Sequence, residues 1–265
     1  MADDAGAGLL RKIRADYDRI AGEYARKIYP ELEGKPFDRE LLNRFAKATE
    51  NHGAVCDLGC GPGHVARFLR NADADVFGID LSPGMVAQAR ALNPEIEFRQ
   101  GNMLELPLPD GSLAGIAAFY SVVNLPFSSL DQVFSEMERV LIPGGLLLLA
   151  FHVGDGVIRP AELWGQPVSM EFFYFETAEI ERKLRAAGFE IEETVERGPY
   201  APEVEHQSRR AYIFARVPEL RTAGAADLVA LLGAGGLPNE EREEAYTSGS
   251  VSIEVDHGNS SHDKH

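Results

Sequence analysis

An acid, a glycine-rich turn and a second acid carry the chemistry that can be read from this chain. The run Val55-Cys56-Asp57-Leu58-Gly59-Cys60-Gly61-Pro62-Gly63 begins as a short apolar strand and ends in a turn. Val65-Ala66-Arg67-Phe68-Leu69 continues it with helical periodicity. Strand, glycine turn and helix N-terminus together form a cradle where backbone approaches a ligand closely. Asp80 closes the next apolar strand, Val76-Phe77-Gly78-Ile79. It lies roughly 20 residues on, where doubly wound folds set a carboxylate on a ribose hydroxyl pair. The expected ligand therefore contains a ribose.

The glycine pattern narrows the choice of nucleoside. A dinucleotide fingerprint needs G-x-G-x-x-G, with a pyrophosphate on the helix N-terminus. Here His64 stands where the late glycine would fall. Asp57 precedes the turn, where its charge opposes a pyrophosphate and suits a cationic or amino-bearing ligand. The pattern Asp57-Leu58-Gly59-Cys60-Gly61-Pro62-Gly63 resembles the first motif of the class I S-adenosylmethionine-dependent methyltransferases. The resemblance covers about residues 10–217 and is specific through residue 152. It implies S-adenosylmethionine as cofactor, with the turn against its methionine and ribose. It also implies that Tyr17 and Tyr24, on a helix before the core, belong to a lid over the cofactor, reaching its methionine end or methyl group.

In an open α/β sheet the ligand crevice lies at the carboxyl ends of the strands. The residues just past those ends are the candidates: Asp57, Gly59, Cys60 and Gly61, then Asp80, Leu81 and Met85, then Asn102 and Met103, then Tyr120. The resembled family usually has an acid at the Asn102 position and often a histidine at that of Asn124. Asn102 can still accept a hydrogen bond, but Asn124 cannot act as a base.

Periodicity supplies the elements that must position these residues. Ile13, Tyr17, Ile20 and Tyr24 share one face of a helix over 9–29. Pro36 opens a second helix, Asp38 to Thr49, with Leu41, Leu42 and Phe45 inward. Strands are expected at 54–58, 75–80, 96–100, 115–121 and 145–152, alternating with helices at 64–71, 84–91 and 127–140. A helix from Glu176 to Ala187 and strands at 189–196 and 210–216 follow. This alternation predicts an α/β, Rossmann-like, doubly wound, seven-stranded sheet, mostly parallel with an antiparallel last strand, and helices on both faces. Residues 1–52 read as a helical lid, 53–217 as the core, and 218–265 as an acidic, largely disordered tail, with helical pattern only at 227–232.

Composition sets limits. The formal net charge is −16, with −6 of it in residues 218–265. Such a surface disfavours nucleic acid. No apolar run reaches the roughly 18–20 residues that a membrane span needs. Cys56 and Cys60, the only cysteines, are too few for a disulfide framework or a zinc site, so no metal is expected and the expected setting is cytoplasmic.

The acceptor side is less legible. A small-molecule acceptor is implied by resemblance: Val204 to Tyr212 looks like the C-terminal segment of small-molecule methyltransferases. Its pocket is expected from the long 154–175 connection and the last strands, with Glu162, Trp164, Tyr174, Glu205, Gln207 and Ser208 as polar and aromatic supply. His152 and His206 are candidate bases, and Tyr24 a third catalytic candidate. Arg209 or Arg210 could grip an acceptor carboxylate. Methyl transfer by in-line displacement needs a base only when the acceptor must lose a proton. Two rivals stay open: a nicotinamide-dependent oxidoreductase, and a cofactor-binding protein without transfer. Oligomeric state is not legible.

Overall fold

Alternation of side chains along the strands sorts this molecule into layers. The computed structural model describes the backbone of residues 2–219 and side chains from residue 6 onward; the expected helix at 227–232 and all but the first two residues of the 218–265 tail lie outside the described residues. The elements are α1 (Ala2–Ile28), a 3-10 turn (Glu31–Gly34), α2 (Pro36–Thr49), β1 (Val55–Leu58), α3 (His64–Asn71), β2 (Val76–Asp80), α4 (Pro83–Leu92), β3 (Glu97–Gln100), β4 (Leu113–Phe119), α5 (Leu130–Val140) and β5 (Leu141–His152). Four two-residue strands follow, β6 (Val157–Ile158), β7 (Glu162–Leu163), β8 (Gln166–Pro167) and β9 (Phe172–Phe173), then α6 (Thr177–Ala186), β10 (Glu190–Arg197) and β11 (Arg210–Arg216).

The main sheet has the order β10-β11-β5-β4-β1-β2-β3. Its pairs are parallel except those of β11, which runs antiparallel to both β5 and β10. In β5, Leu147, Leu149 and Phe151 join Val133, Phe134 and Met137 of α5 and Ile180 and Leu184 of α6. The intervening Leu146, Leu148 and Ala150 join Leu41, Leu42 and Phe45 of α2, Leu69 of α3 and Val86 of α4. A strand period of two thus serves two cores, one on each face. Each large apolar side chain so buried contributes roughly 1.5–3 kcal/mol, against about 0–1 kcal/mol for an exposed ion pair. The two cores therefore hold the sheet, and the surface ion pairs decorate it.

The seven-stranded, mostly parallel architecture is the one expected. Three local differences have physical causes. β4 ends at Phe119 because Tyr120 turns into the left-handed region, with φ +51°. β5 begins at Leu141 rather than 145: it pairs Leu113 with Leu141, then resumes at Gly115 with Leu146, and Gly144 at φ +77° absorbs the irregularity. The long connection carries its own small pairings, β6 with β9 and β7 with β8.

α2 packs as an ordinary layer helix, so of the first 52 residues it is α1 that crosses the carboxyl edge of the sheet. Two acids fasten it. Asp18 Oδ1 accepts from the Ser82 hydroxyl at 2.5 Å and the Gly84 N–H at 2.9 Å, at the start of α4. Asp16, 3% exposed, accepts from the Ser169 N–H at 2.7 Å. A Cβ on Gly84 would come 3.0 Å from Asp18 Cα, so α1 and α4 touch backbone to backbone.

The α2 contact is testable. A Cβ on Gly115 of β4 would lie 2.7 Å from Phe45 Cζ and 2.8 Å from Thr49 Cγ2. Gly115→Ala should cost about 1–3 kcal/mol in urea denaturation, the usual penalty of overpacking. Wild-type stability would mean that α2 does not press on the sheet as described.

Candidate active site

The chain winds outward from β1 through β2 to β3, then returns to place β4 on the other side of β1. That reversal opens a crevice at the carboxyl ends of β1 and β4, the place where such sheets bind ligands. A cavity of about 570 Å³ lies there.

Its floor is the turn after β1. Gly59 has φ +71°, and a Cβ there would sit 2.3 Å from Ser121 Cβ, so only glycine lets the ends of β1 and β4 approach this closely. The Gly59 and Cys60 N–H groups both donate to the Ile79 carbonyl, at 2.8 and 3.0 Å. Asp80 stands beside the turn on the cavity wall. Its Oδ2 accepts from the Gly61 N–H and its Oδ1 from the Ser82 N–H, each at 2.8 Å. Burial raises its pKa to about 6 against the pull of those two amides. The carboxylate is therefore aimed and fixed before any ligand arrives.

Asp57 stands behind the wall. It is 2% exposed and is absent from the cavity lining; its Oδ2 accepts from the Ala66 N–H at 2.9 Å. This is the cap that Gly63, which has no side-chain acceptor, cannot give to α3. Burial pushes Asp57 up to about 7, although the charge of His64 and the Ala66 hydrogen bond oppose it. His64 Nε2 lies 3.0 Å from Glu31 Oε1. Burial alone would raise Glu31, but His64 and then Lys35 bring it down to about 2.

Of the other cofactor candidates, Gly59, Cys60, Gly61, Leu81, Met85, Asn102, Met103, Tyr120, Tyr17 and Tyr24 all line the cavity. Asn102 Oδ1 already accepts from the Leu104 N–H at 3.0 Å. Tyr17 donates its hydroxyl to Asn124 Oδ1 at 2.7 Å, and Asn124 Nδ2 donates to the Glu171 carbonyl at 2.8 Å. Asn124 thus ties α1 to the long connection. Tyr24 packs edge-on against Tyr17, with ring centroids 5.8 Å apart, and against Trp164 at 5.7 Å. Burial pushes the Tyr24 phenol well above its usual range, so it stays neutral.

His152 and His206 both reach the cavity. His152 Nδ1 lies 2.8 Å from the Ser208 hydroxyl. Burial, then Arg210, His206 and Lys35, push its pKa down to about 3, so the ring is neutral at physiological pH. His206 is exposed, with Nε2 2.8 Å from the Tyr174 hydroxyl. From the expected acceptor supply, Glu205 and Arg210 also line the cavity, whereas Glu162, Trp164, Tyr174, Gln207, Ser208 and Arg209 do not. Arg209 pairs with Glu196 at the surface.

Sequence reasoning missed a buried charge cluster at this end. Arg197 binds Glu205 at 2.6 Å and Asp38 at 3.0 Å, and Lys35 binds Glu31 at 2.7 Å. Tyr212 donates to Asp38 at 2.6 Å and shares a hydrogen bond with Tyr120 at 2.9 Å. These residues are distant in sequence and follow no periodicity, and nothing adjacent to Lys35 and Asp38 in the chain marks them for burial. The acids of α1, Asp16 and Asp18, were hidden in the same way.

Asp57 also makes stability depend on pH. Its native pKa of about 7 exceeds the ordinary 3.8, so the folded state holds the proton more tightly than the unfolded chain. Stability from this group is therefore lost as pH rises from about 4 to 7, with Asp80 adding the same sign up to about 6. Glu31 acts oppositely, losing stability as pH falls from its ordinary 4.5 toward 2. Asp57→Asn keeps an acceptor for Ala66 and should flatten the decline in Tm between about pH 5 and 7. An unchanged slope would mean that the carboxylate is not desolvated.

Comparison with known proteins agrees with this geometry. Residues 55–145 match the family model described as a methyltransferase domain. A Mycolicibacterium smegmatis protein named as a probable S-adenosylmethionine-dependent methyltransferase is 33% identical over 144 residues, 53% of each chain. A malonyl-[acyl-carrier protein] O-methyltransferase of Yersinia pestis is 28% identical over 163 residues, 61% of this chain and 60% of that one. The chain thus spans about half to three-fifths of the length of these curated relatives. Among solved structures, the [4+2]-cyclase SpnF superposes with a TM-score of 0.61 at 20% identity, over 79% of this chain and 97% of that one, a likeness of fold alone. Motif, fold and domain match together show that residues 55–145 form a methyltransferase domain of the kind found in S-adenosylmethionine-dependent methyltransferases, and S-adenosylmethionine is the cofactor that this domain and fold imply.

Proposed function

We propose that this protein binds S-adenosylmethionine in the 570 Å³ cavity and transfers its methyl group to a small-molecule acceptor. The observation that carries this reading is Asp80, held by the Gly61 and Ser82 amides against a turn that admits no side chain at Gly59. The residues present fit the cofactor: a fixed carboxylate for ribose hydroxyls, bare backbone beside it, and apolar Leu81, Met85 and Met103 with the amide of Asn102 for a base. Cys60 and Gly61 complete the turn, and Asp57 supports it from behind through α3.

S-adenosylmethionine, when bound, supplies an electrophilic methyl group on a sulfonium. The chain's own residues must hold the acceptor about 3 Å from that carbon and keep water away. Tyr17, Tyr24 and Tyr120 suit the second task, as large neutral walls. His152 is neutral and a weak base, so it suits orientation of the acceptor by hydrogen bonding more than proton removal. His206 is exposed, and its Nε2 is engaged with the Tyr174 hydroxyl at 2.8 Å. This arrangement favours acceptors that attack without first losing a proton. The name of the Yersinia pestis relative, a malonyl-[acyl-carrier protein] O-methyltransferase, supports a small acceptor group at this site.

The α3 N-terminus argues against the nicotinamide reading. The Ala66 N–H, where a pyrophosphate would seek its donors, is already taken by a buried carboxylate. A cofactor-binding reading without transfer draws on Asn102 and Asn124, which stand where the resembled family usually has an acid and often a histidine. Two unpaired, buried cysteines support a reducing, cytoplasmic setting, and the charge of −16 supports a partner other than nucleic acid.

Calorimetric titration with S-adenosylmethionine, S-adenosylhomocysteine and NADH tests the proposal. Micromolar binding of the first two and none of NADH is expected. Asp80→Ala should weaken both by about 100-fold or more, two lost charge-assisted hydrogen bonds, with an unchanged circular dichroism spectrum. Near-wild-type affinity in that variant would refute the ribose assignment, and binding of NADH alone would refute the methyltransferase reading.

A further inference from the structure

One buried cation at the edge of the cavity has hydrogen-bonding capacity that the protein leaves unused. Arg210 opens β11, and its side chain is 3% exposed and lines the cavity. Nη1 donates to the Ser208 carbonyl at 2.8 Å and reaches the Ser208 hydroxyl at 3.4 Å. Nε lies 3.2 Å from Glu205 Oε2 but off hydrogen-bonding geometry, and it is a buried donor without a hydrogen-bond partner. Glu205 is committed elsewhere. Its two oxygens take the Arg197 fork at 2.6 and 3.2 Å, and Oε1 also accepts from the Tyr200 N–H at 2.6 Å. Arg197 has Asp38 as a second carboxylate and Lys35 has Glu31; among the described residues Arg210 has only its share of Glu205. Arg210 is thus the least well matched of the three cations, and a buried guanidinium in that state is stabilised by a further acceptor at the cavity edge.

The surroundings say what shape that anion has. The Arg210 guanidinium lies 5.6 Å, and the Lys35 ammonium 5.7 Å, from the centre of the Tyr120 ring. His152 packs on the same ring at 5.0 Å, with planes 32° apart. Tyr120 is fixed by its left-handed backbone and by its hydroxyl on Tyr212. A non-glycine residue held at positive φ beside a cavity is a form of strain that clusters at ligand sites. The result is a flat aromatic wall edged by two cations and an uncharged imidazole. A guanidinium fork is matched by a carboxylate, and a ring wall by a planar body.

We propose that the acceptor carries a carboxylate, anchored by Arg210 with Lys35 nearby, and a flat body that lies against Tyr120. The proposal rests on the methyl-transfer reading of the same cavity and names its substrate class. The carboxylate is an anchor rather than the attacking atom, since a guanidinium draws charge out of the oxygens it binds. Burial does most to keep His152 unprotonated, and Arg210 and Lys35, which add to it, are the same two cations that favour an anion beside the ring.

The test uses benzoate and its uncharged match, benzamide, titrated by calorimetry into the full chain with and without saturating S-adenosylhomocysteine. Benzoate should bind about tenfold or more tighter than benzamide, the discrimination expected of one desolvated charge-assisted contact. Arg210→Gln should erase the preference and Arg210→Lys keep part of it, with S-adenosylhomocysteine affinity within about twofold of wild type as the check on folding. Should Arg210→Gln fail that check, Arg210→Lys and Lys35→Gln decide, each expected to reduce the preference for benzoate. No binding of benzoate, equal affinity for the pair, or a preference that survives Arg210 replacement would overturn the anchor. A benzoate preference with no binding of S-adenosylhomocysteine would instead strike the cofactor reading and leave the anion site standing.

Discussion

The hydrogen bond from the Ala66 N–H to the buried Asp57 carboxylate is the constraint on which the site depends. It joins the last turn of a strand to the first turn of a helix across a loop that has no side chain able to cap. With α3 fixed to β1, the intervening backbone must pass through the left-handed region at Gly59, Gly61 and Gly63. That path points the Gly61 N–H at Asp80. The acid that looked like a ligand contact is thus the device that aims this amide at Asp80, the proposed ribose acceptor. Its burial is costly for a charge, which is why Asp57 holds its proton to about pH 7.

Much of this was legible in the sequence because local rules govern it. The glycine turn, the strand-ending Asp80 and the alternation of elements follow from backbone sterics and hydrophobic period, which act over a few residues. The order of the strands was not read from the sequence; it appears only in the fold, where the chain reverses after β3. What stayed hidden arises between distant segments. Lys35, Asp38, Arg197 and Glu205 meet only because α2 and the β10–β11 hairpin are brought together by the sheet. Asp57 illustrates the limit within the motif itself. Its place in the pattern was plain, but whether the carboxylate faced forward to the ligand or back to the helix depended on where α3 begins. Between Arg209 and Arg210, strand alternation required that they point opposite ways but could not say which was buried; the pairing of β11 with β5 decides for Arg210.

The two ends of the cavity are built on different principles. At the cofactor end the polar contacts come from backbone amides and one carboxylate, and they are satisfied before a ligand enters. At the other end, three cations and three carboxylates from separate elements are interlocked, with Tyr120 between them and the neutral His152. Backbone contacts tolerate changes of side chain, whereas a buried charge network does not, because removing one member leaves another unpaired. The first end therefore suits a shared cofactor, and the second a particular acceptor.

Trp164 gives this molecule an optical property of its own. It is the chain's single tryptophan, at the tip of the β7–β8 turn, 37% exposed. Its ring meets Tyr24 of α1 at 5.7 Å, and the Lys27 ammonium lies 6.0 Å from it. Any movement of α1 away from the sheet's edge strips one face of this indole and changes the polarity around it. The intrinsic emission of the unlabelled protein is thereby a direct gauge of whether the cavity is roofed.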